Sequence, residues 1–475
     1  MKDSQKYIFI FLLIFLLNII PFLLFPFIHT QDSATYLSVS DNILENHCVS
    51  RSTPSSHQCT PDWGGNQLFG YPLFLAVTRI FDHTNYTISV MAQYLLLVGA
   101  IFYFCSVLYS KLKLQFRKIL VISMLLSWSP FQIAWASVLL TESIVIPLII
   151  ILFAEIIKSL ITKKMQTITW FIILIIAVFT RYEMVIFCVT VPIVAFSIYS
   201  PTFALKKITI IGFLISMPLI IWGIRGAANG LPFPPTLAMG DNSLTYPKGT
   251  LAWFKTWKSS SHDDQNIYKI FDGKYSSIRL PDKAFDNNHE KQVISDIMTT
   301  LAKQDGKSIP PPIDNLFAEI AKNRIDRTPL RYYLQLPITR IISMMSNITY
   351  NSINLLPLSK QGRGLSDANI TENSVSMALE HPSNTVILVL SAYKIVLFLI
   401  LGYLLVNFFK LSVINRTILL TSITCSCLSL LFILTFAIST EPRYLLSSLV
   451  VLEIAVIFIL ASIFPSPHLK REYTD

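Results

Sequence analysis

Charge is scarce in this sequence: Asp, Glu, Lys and Arg make up 14% of its 475 residues. A soluble chain of this length needs roughly 25% to cover its surface. The shortage excludes an ordinary soluble protein. Internal repeats and low-complexity tracts are missing as well, so neither a solenoid nor a biased tail is expected. No His or carboxylate cluster has metal-ligand spacing, and neither a structural metal nor a cofactor is expected. The first apolar run is followed by no small-x-small cleavage site and reads as an uncleaved signal anchor.

What the chain has in quantity is apolar length, with 53% hydrophobic residues. Runs near the ~20 residues that cross a bilayer cover Tyr7 to Ile28, Tyr86 to Tyr109, Ile119 to Val138, Ser143 to Ile161 and Ile208 to Ile224. Three more cover Thr385 to Phe409, Thr417 to Ile438 and Tyr444 to Phe464. The net charge of +10 sits in short breaks, among them Lys111, Lys113, Arg117 and Lys118, then Lys158, Lys163 and Lys164, then Lys206 and Lys207. Short basic loops stay cytoplasmic, so the excess reports topology and no nucleic-acid partner is expected. All clusters are cytoplasmic together only if an even number of crossings separates each pair. Residues 165–205 must therefore hold two short or tilted helices turning at Arg181, Tyr182 and Glu183. The expectation is an all-α multi-pass membrane protein with about ten crossings and both termini cytoplasmic.

Residues 1–228 form an N-terminal module that includes a first external loop, 29–83. Residues 229–384 form a larger external region, and 385–475 the C-terminal helices. Within the external region "PLRYYLQLPITRIISMMSNITY" resembles a crossing, but parity and its arginines at 331 and 340 favour a helix lying in the interface. Of six cysteines, Cys105, Cys188, Cys425 and Cys427 sit in apolar runs. Cys48 and Cys59 lie in the first loop, where an oxidising compartment would join them as a disulfide. His57 between them adds no recognised zinc spacing.

The stretch "FPFIHTQDSATYLSVSDNILEN" (25–46) turns from an apolar run into a polar helix. Its apolar stripe at Tyr36, Leu37, Val39, Ile43 and Leu44 faces the bundle, with Asp41 on the opposite face. "FGYPLFLAVTRIF" is a second short helix, begun by Pro72. The bland role for Asp32 is to cap a helix starting at Ser33. Other ionisable groups share that outer depth: Glu142, Arg181, Glu183, Arg225, Glu441 and Arg443. Each has a local explanation, as a helix cap or as a surface ion pair worth under ~1 kcal/mol. Together they mark a functional rim, because ionisable groups at membrane depth are functional candidates. Carboxylates beside arginines suit transfer of a sugar from a polyprenyl phosphate. A base must take the acceptor's proton, and cations must hold the leaving phosphate. Asp32 and Glu142 are the candidate bases. Arg181, Arg225 and Arg443 are candidate phosphate ligands, and Tyr36, Tyr71, Glu183 and Tyr444 complete the expected substrate surface.

"DSATYLSVSDNILEN", "GYPLFLAVTRIF", "LTESIV", "TRYEMV" and "EPRYLL", in that order, resemble the GT-C superfamily of integral-membrane glycosyltransferases. The similarity is to the branch of protein mannosyltransferases and the lipid A aminoarabinose transferase, and it covers roughly residues 7–230. It implies that the first-loop carboxylate Asp32 is the catalytic base, that Gly70, Tyr71 and Pro72 mark the family's short helix, and that transfer inverts the anomeric carbon. The family's acidic doublet is here Asp32-Ser33, with one carboxylate. Residues 227–384 carry no assignable motif. The implied partners are a polyprenyl-phosphate sugar donor, a lipid, glycan or protein acceptor, and membrane lipids. The implied location is a bacterial inner membrane with the site facing the periplasm or exterior. A glycan polymerase or ligase, using His262 and His289, is the nearest rival. A transporter, with polar groups at mid-membrane in broken helices, is the third.

Overall fold

A backbone in hydrocarbon must satisfy its own hydrogen bonds, and the apolar runs do so as helices. The computed structural model describes residues 2–24, 27, 30–50, 68–81, 86–228, 247–260, 263–271, 273–305, 308–346, 384–436 and 442–463. Every regular element among them is helical. Helix α1 (Asp3–Leu24) precedes α2 (Gln31–Asn46), α3 (Gly70–Arg79), α4 (Thr87–Ser110), α5 (Phe116–Ser127), α6 (Pro130–Ala136), α7 (Glu142–Thr162) and α8 (Thr167–Thr180). A 3-10 stretch, Tyr182–Val189, leads to α9 (Thr190–Ile198) and α10 (Pro201–Ala228). Then come α11 (Lys248–Lys255), α12 (Asp264–Phe271), α13 (Asn288–Ala302) and α14 (Pro311–Arg327). A π turn at Arg331–Gln335 opens α15 (Leu336–Ser346), and α16 (Asn384–Val406), α17 (Val413–Phe436) and α18 (Leu446–Ile463) follow.

Six of the described helices are long and apolar enough to cross a membrane: α1, α4, α7, α10, α17 and α18. Their burial ranks them. In the apolar window 83% of α7 and 72% of α18 is buried, against 22% for α1 and for α10. A helix apolar all round belongs inside, so α7 and α18 form the centre, with α4 and α8 packed on α7. α1 and α10 turn residues such as Phe11, Leu16, Phe213 and Ile221 outward.

The expected crossing from Ile119 to Val138 is not one helix. It breaks after Ser127, and Ser129 caps α6 by accepting from Phe131 N at 3.2 Å. Pro130 at the first helical position explains the break: it has no N–H and disfavours helical geometry at the residue before it. The turn expected at Arg181 is present. Arg181 is extended (φ −156°, ψ 127°) between α8 and the 3-10 stretch.

Outside the bundle, Trp253, Phe254, Trp257, Ile294 and Phe317 build a second core from α11, α13 and α14. Asp314 receives Gly249 N at 2.9 Å and Thr250 N at 2.7 Å, which places a carboxylate at the start of α11. At the other end Arg340 of α15 donates to the carbonyls of Lys255 and Lys258. That clasp joins the outer core to α15, which packs on α17 and on residues 442–445. Leu330, Tyr333, Leu334, Ile338 and Ile342 remain an exposed apolar stripe beside it, as an interfacial helix requires.

In the first loop α2 and α3 pack together, and buried Arg79 of α3 pairs with Asp41. Asp41 keeps 42% of its side chain exposed, on the face away from the apolar stripe, and pairs with Arg79 from there. Gly70 begins α3 against the end of α8: a Cβ there would lie 2.7 Å from Phe179 C and O and 2.9 Å from Thr180 N. Backbone cannot yield as a side-chain tip can. Gly70→Ala is expected to cost about 1–3 kcal/mol, read as a lower unfolding midpoint in detergent. An unchanged midpoint would show that α3 is not seated on α8.

Candidate functional site at the rim of the bundle

Helix α2 starts two residues earlier than Asp32 as a cap would require. Its N-cap is Thr30, whose hydroxyl accepts from Ser33 N at 3.2 Å, while Ser33 Oγ accepts from Thr30 N at 2.9 Å. The expected cap role of Asp32 is thereby corrected: Asp32 lies in the first turn, half-buried, where the helix dipole favours an anion. Ser33 Oγ also donates to Leu139 O at 2.8 Å. This bond fixes the start of α2 against the irregular segment that leads into α7.

Two more groups hold that segment. Gln93 of α4 donates to Ala136 O at 2.9 Å and Val138 O at 3.1 Å, and Tyr71 donates to Gln93 Oε1 at 2.9 Å. Tyr36 stands edge-on to Tyr71 with ring centroids 5.2 Å apart. Burial, reinforced by Tyr36 and Glu142 and opposed by a hydrogen bond with Ser143, holds the Tyr71 hydroxyl well above its usual range. It therefore stays a proton donor to Gln93.

Glu142 opens α7 beside them. Its Oε1 accepts from Arg181 Nη1 at 2.7 Å and its Oε2 from Thr141 Oγ1 at 3.1 Å. Arg181 Nε lies 3.1 Å from Glu183 Oε1, which also accepts from Ser447 of α18 at 3.2 Å. The guanidinium sits 5.3 Å from the Tyr444 ring centroid. Side-chain exposure is 13% for Arg181, 4% for Glu142 and 5% for Glu183. The bundle thus brings together Tyr36, Tyr71, Glu142, Arg181, Glu183 and Tyr444. Two carboxylates share one guanidinium.

The other expected residues are placed differently. Arg225 donates to Val49 O at 3.0 Å and lies over Trp222 at 4.5 Å, in an aromatic group with Phe69 and Phe179. Its described bonds tie α10 to the first loop rather than to Arg181. Cys48 is disulfide-bonded, while Cys105, Cys188, Cys425 and Cys427 are free. Cys59, His262 and Glu441 lie outside the described residues, as does the side chain of Arg443. His289 is exposed on α13, in the outer core rather than at the rim. No group of three or more potential metal ligands occurs among the described residues.

Two buried carboxylates escaped the reading of the sequence. Glu155 of α7 pairs with Lys158 at 2.8 Å and receives Tyr103. Glu453 of α18 is fully buried among Ser129, Gln132 and Tyr393. The signal was present: each is an acid inside an otherwise apolar run, the pattern that marks a functional position. Compared with known proteins, the chain matches no family model, no curated protein and no solved structure.

Proposed function

We propose that the chain is an inverting, GT-C-like glycosyltransferase of about ten crossings. Its substrate would be a sugar on a polyprenyl phosphate, passed to a lipid, glycan or protein acceptor at the outer face of a bacterial inner membrane. The crossings comprise the six long helices, the three shorter apolar ones, and α5 with α6 as one broken span.

One observation carries the reading. The start of α2, with Asp32 in its first turn, is bonded through Ser33 to the segment that presents Glu142. Two carboxylates at two helix N-termini thus share a rim with Tyr36 and Tyr71. In this reading Asp32 takes the proton from the acceptor hydroxyl, whose oxygen bonds to the anomeric carbon as the bond to phosphate breaks. The phosphate needs cations. Arg181 is already shared by two acids, which moves the weight of that role towards Arg225 and Arg443.

The test is transfer of labelled sugar from polyprenyl-phosphate donors by the purified full-length chain, supplied with membrane extract as acceptor. Transfer with inversion is expected. Absence of transfer across hexose, aminosugar and pentose donors would overturn the reading. A transporter is the second reading, favoured by Glu453 lying in mid-span beside the break between α5 and α6.

A further inference from the structure

Glu453 is not used in the proposed sugar transfer. It sits near the middle of α18 and is 0% exposed. Ser129 Oγ donates to its Oε2 at 2.8 Å, Gln132 Nε2 to the same oxygen at 3.2 Å, and Tyr393 OH to its Oε1. All three donors are neutral. A carboxylate taken out of water without a counter-charge is too costly to persist.

Among the described side chains, the elements packed on α18 do not supply that charge. Lys118 of α5 donates to Ala461 O at 3.0 Å, two helical turns away. On α7, Lys158 is engaged by Glu155, and Glu142 pairs with Arg181. Lys394 of α16 donates to Met345 O at 3.4 Å. α6 offers Gln132, and its sequence carries no charge; α17 contributes Cys425, Cys427 and Arg416, none bonded to Glu453 among the described residues. Residues 442–445 contribute Tyr444, which faces Arg181, and Arg443, whose side chain lies outside the described residues. Tyr393 is the one titratable group, among the described residues, that is bonded to Glu453.

A second observation points to a ligand. The other end of the Gln132 amide, Oε1, is buried and has no hydrogen-bond partner, on a side chain that is 1% exposed. Among the described residues, a carboxylate without a cation and an acceptor without a donor therefore stand at the break between α5 and α6. We propose that Glu453, Gln132 and Ser129 form an intramembrane binding site for one monovalent cation, a proton or Na⁺. The cation neutralises Glu453 and so holds Ser129 and Gln132, the cap and first turn of α6. The far end of that segment carries Ala136 O, Val138 O and Leu139 O, which anchor Gln93 and Ser33. Occupancy of the site thus sets the position of the segment on which the start of α2 rests. The site stands whether or not the chain transfers sugars.

Dicyclohexylcarbodiimide tests it in the full-length chain. The reagent attacks a protonated carboxyl in apolar surroundings: the acid proton passes to a carbodiimide nitrogen as the carboxyl oxygen bonds to its central carbon. Peptide mass spectrometry is expected to find the adduct on Glu453 and not on Glu155, which Lys158 engages at 2.8 Å. Protection by sodium, but not by choline, assigns the site to Na⁺. Loss of labelling only at alkaline pH, or labelling that neither reduces, assigns it to a proton. The second measurement is the unfolding midpoint of wild type and Glu453→Gln across sodium concentration and pH. A response present in wild type and lost in the variant supports the site even where the reagent cannot enter. An unlabelled Glu453 together with identical midpoint responses in the two proteins would overturn the proposal.

Discussion

Asp32→Asn is expected to fold, insert and lose sugar transfer by ~10²–10⁴-fold, the usual cost of removing a positioned base. The structure sharpens this experiment. Were Asp32 the cap of α2, Asn would replace it almost without cost, since Asn caps as well. The cap is Thr30, so Asn at position 32 leaves the capping bonds intact and removes a charge from the helix N-terminus, an effect worth about 0.3–1 kcal/mol. Thr30→Ala supplies the complementary variant. It removes the capping bonds at a cost of about 0.5–2 kcal/mol and leaves the carboxylate in place. Its unfolding midpoint should fall while its transfer rate stays within a few-fold of wild type. The two variants should therefore show opposite patterns. Asp41→Asn is a poor neutral control, because it would remove the negative charge that pairs with buried Arg79. An Asp32→Asn protein within a few-fold of wild-type rate would move the base to Glu142.

Arg181→Ala is expected to cost stability before it costs activity. It would leave Glu142 and Glu183, 4% and 5% exposed, without their shared cation. Breaking such a buried pair typically costs about 3–5 kcal/mol. Arg181→Lys keeps the charge but loses the planar fork that reaches both acids, so it should fall between Ala and wild type. The diagnostic protein is the triple variant Arg181→Ala, Glu142→Gln, Glu183→Gln, in which all three charges of the cluster are removed together. Its midpoint in detergent should recover most of the loss. The sequence alone made Arg181 a candidate phosphate ligand, a role whose loss would weaken donor use and leave the fold intact. A wild-type midpoint for Arg181→Ala would restore that view.

The long apolar runs were legible because bilayer thickness dictates their length. The turn at Arg181 followed from the same rule, since residues 165–205 are too many for one crossing. The break at Ser129-Pro130 was missed because hydropathy runs straight through it; the proline signals the stop, and a hydropathy count ignores it. The start of α2 was missed for a chemical reason. A capping box normally ends in Glu or Gln, whereas here Ser33 takes that place and Asp32 drew attention as the better-known cap. Partners across the bundle were beyond reach. Glu142 and Arg181 are separated by 39 residues and Glu183 and Ser447 by 264, and only packing decides which acids meet which donors.

The two carboxylates inside the bundle differ in where their partners lie along the chain, and this bears on how the protein is made. Glu155 has Lys158 one turn away on its own helix. α7 therefore carries a counter-ion with it through the translocation machinery and offsets part of the roughly 2.5–3.5 kcal/mol that a charged residue costs at the centre of an inserting helix. Glu453 has no such companion on α18. Its partners Ser129, Gln132 and Tyr393 all come earlier in the chain. They have left the ribosome before Glu453 is made, so the last long apolar helix meets its polar receptors as it enters the membrane. Assembly order thus lets a helix with an acid at its centre go in late without waiting for a partner.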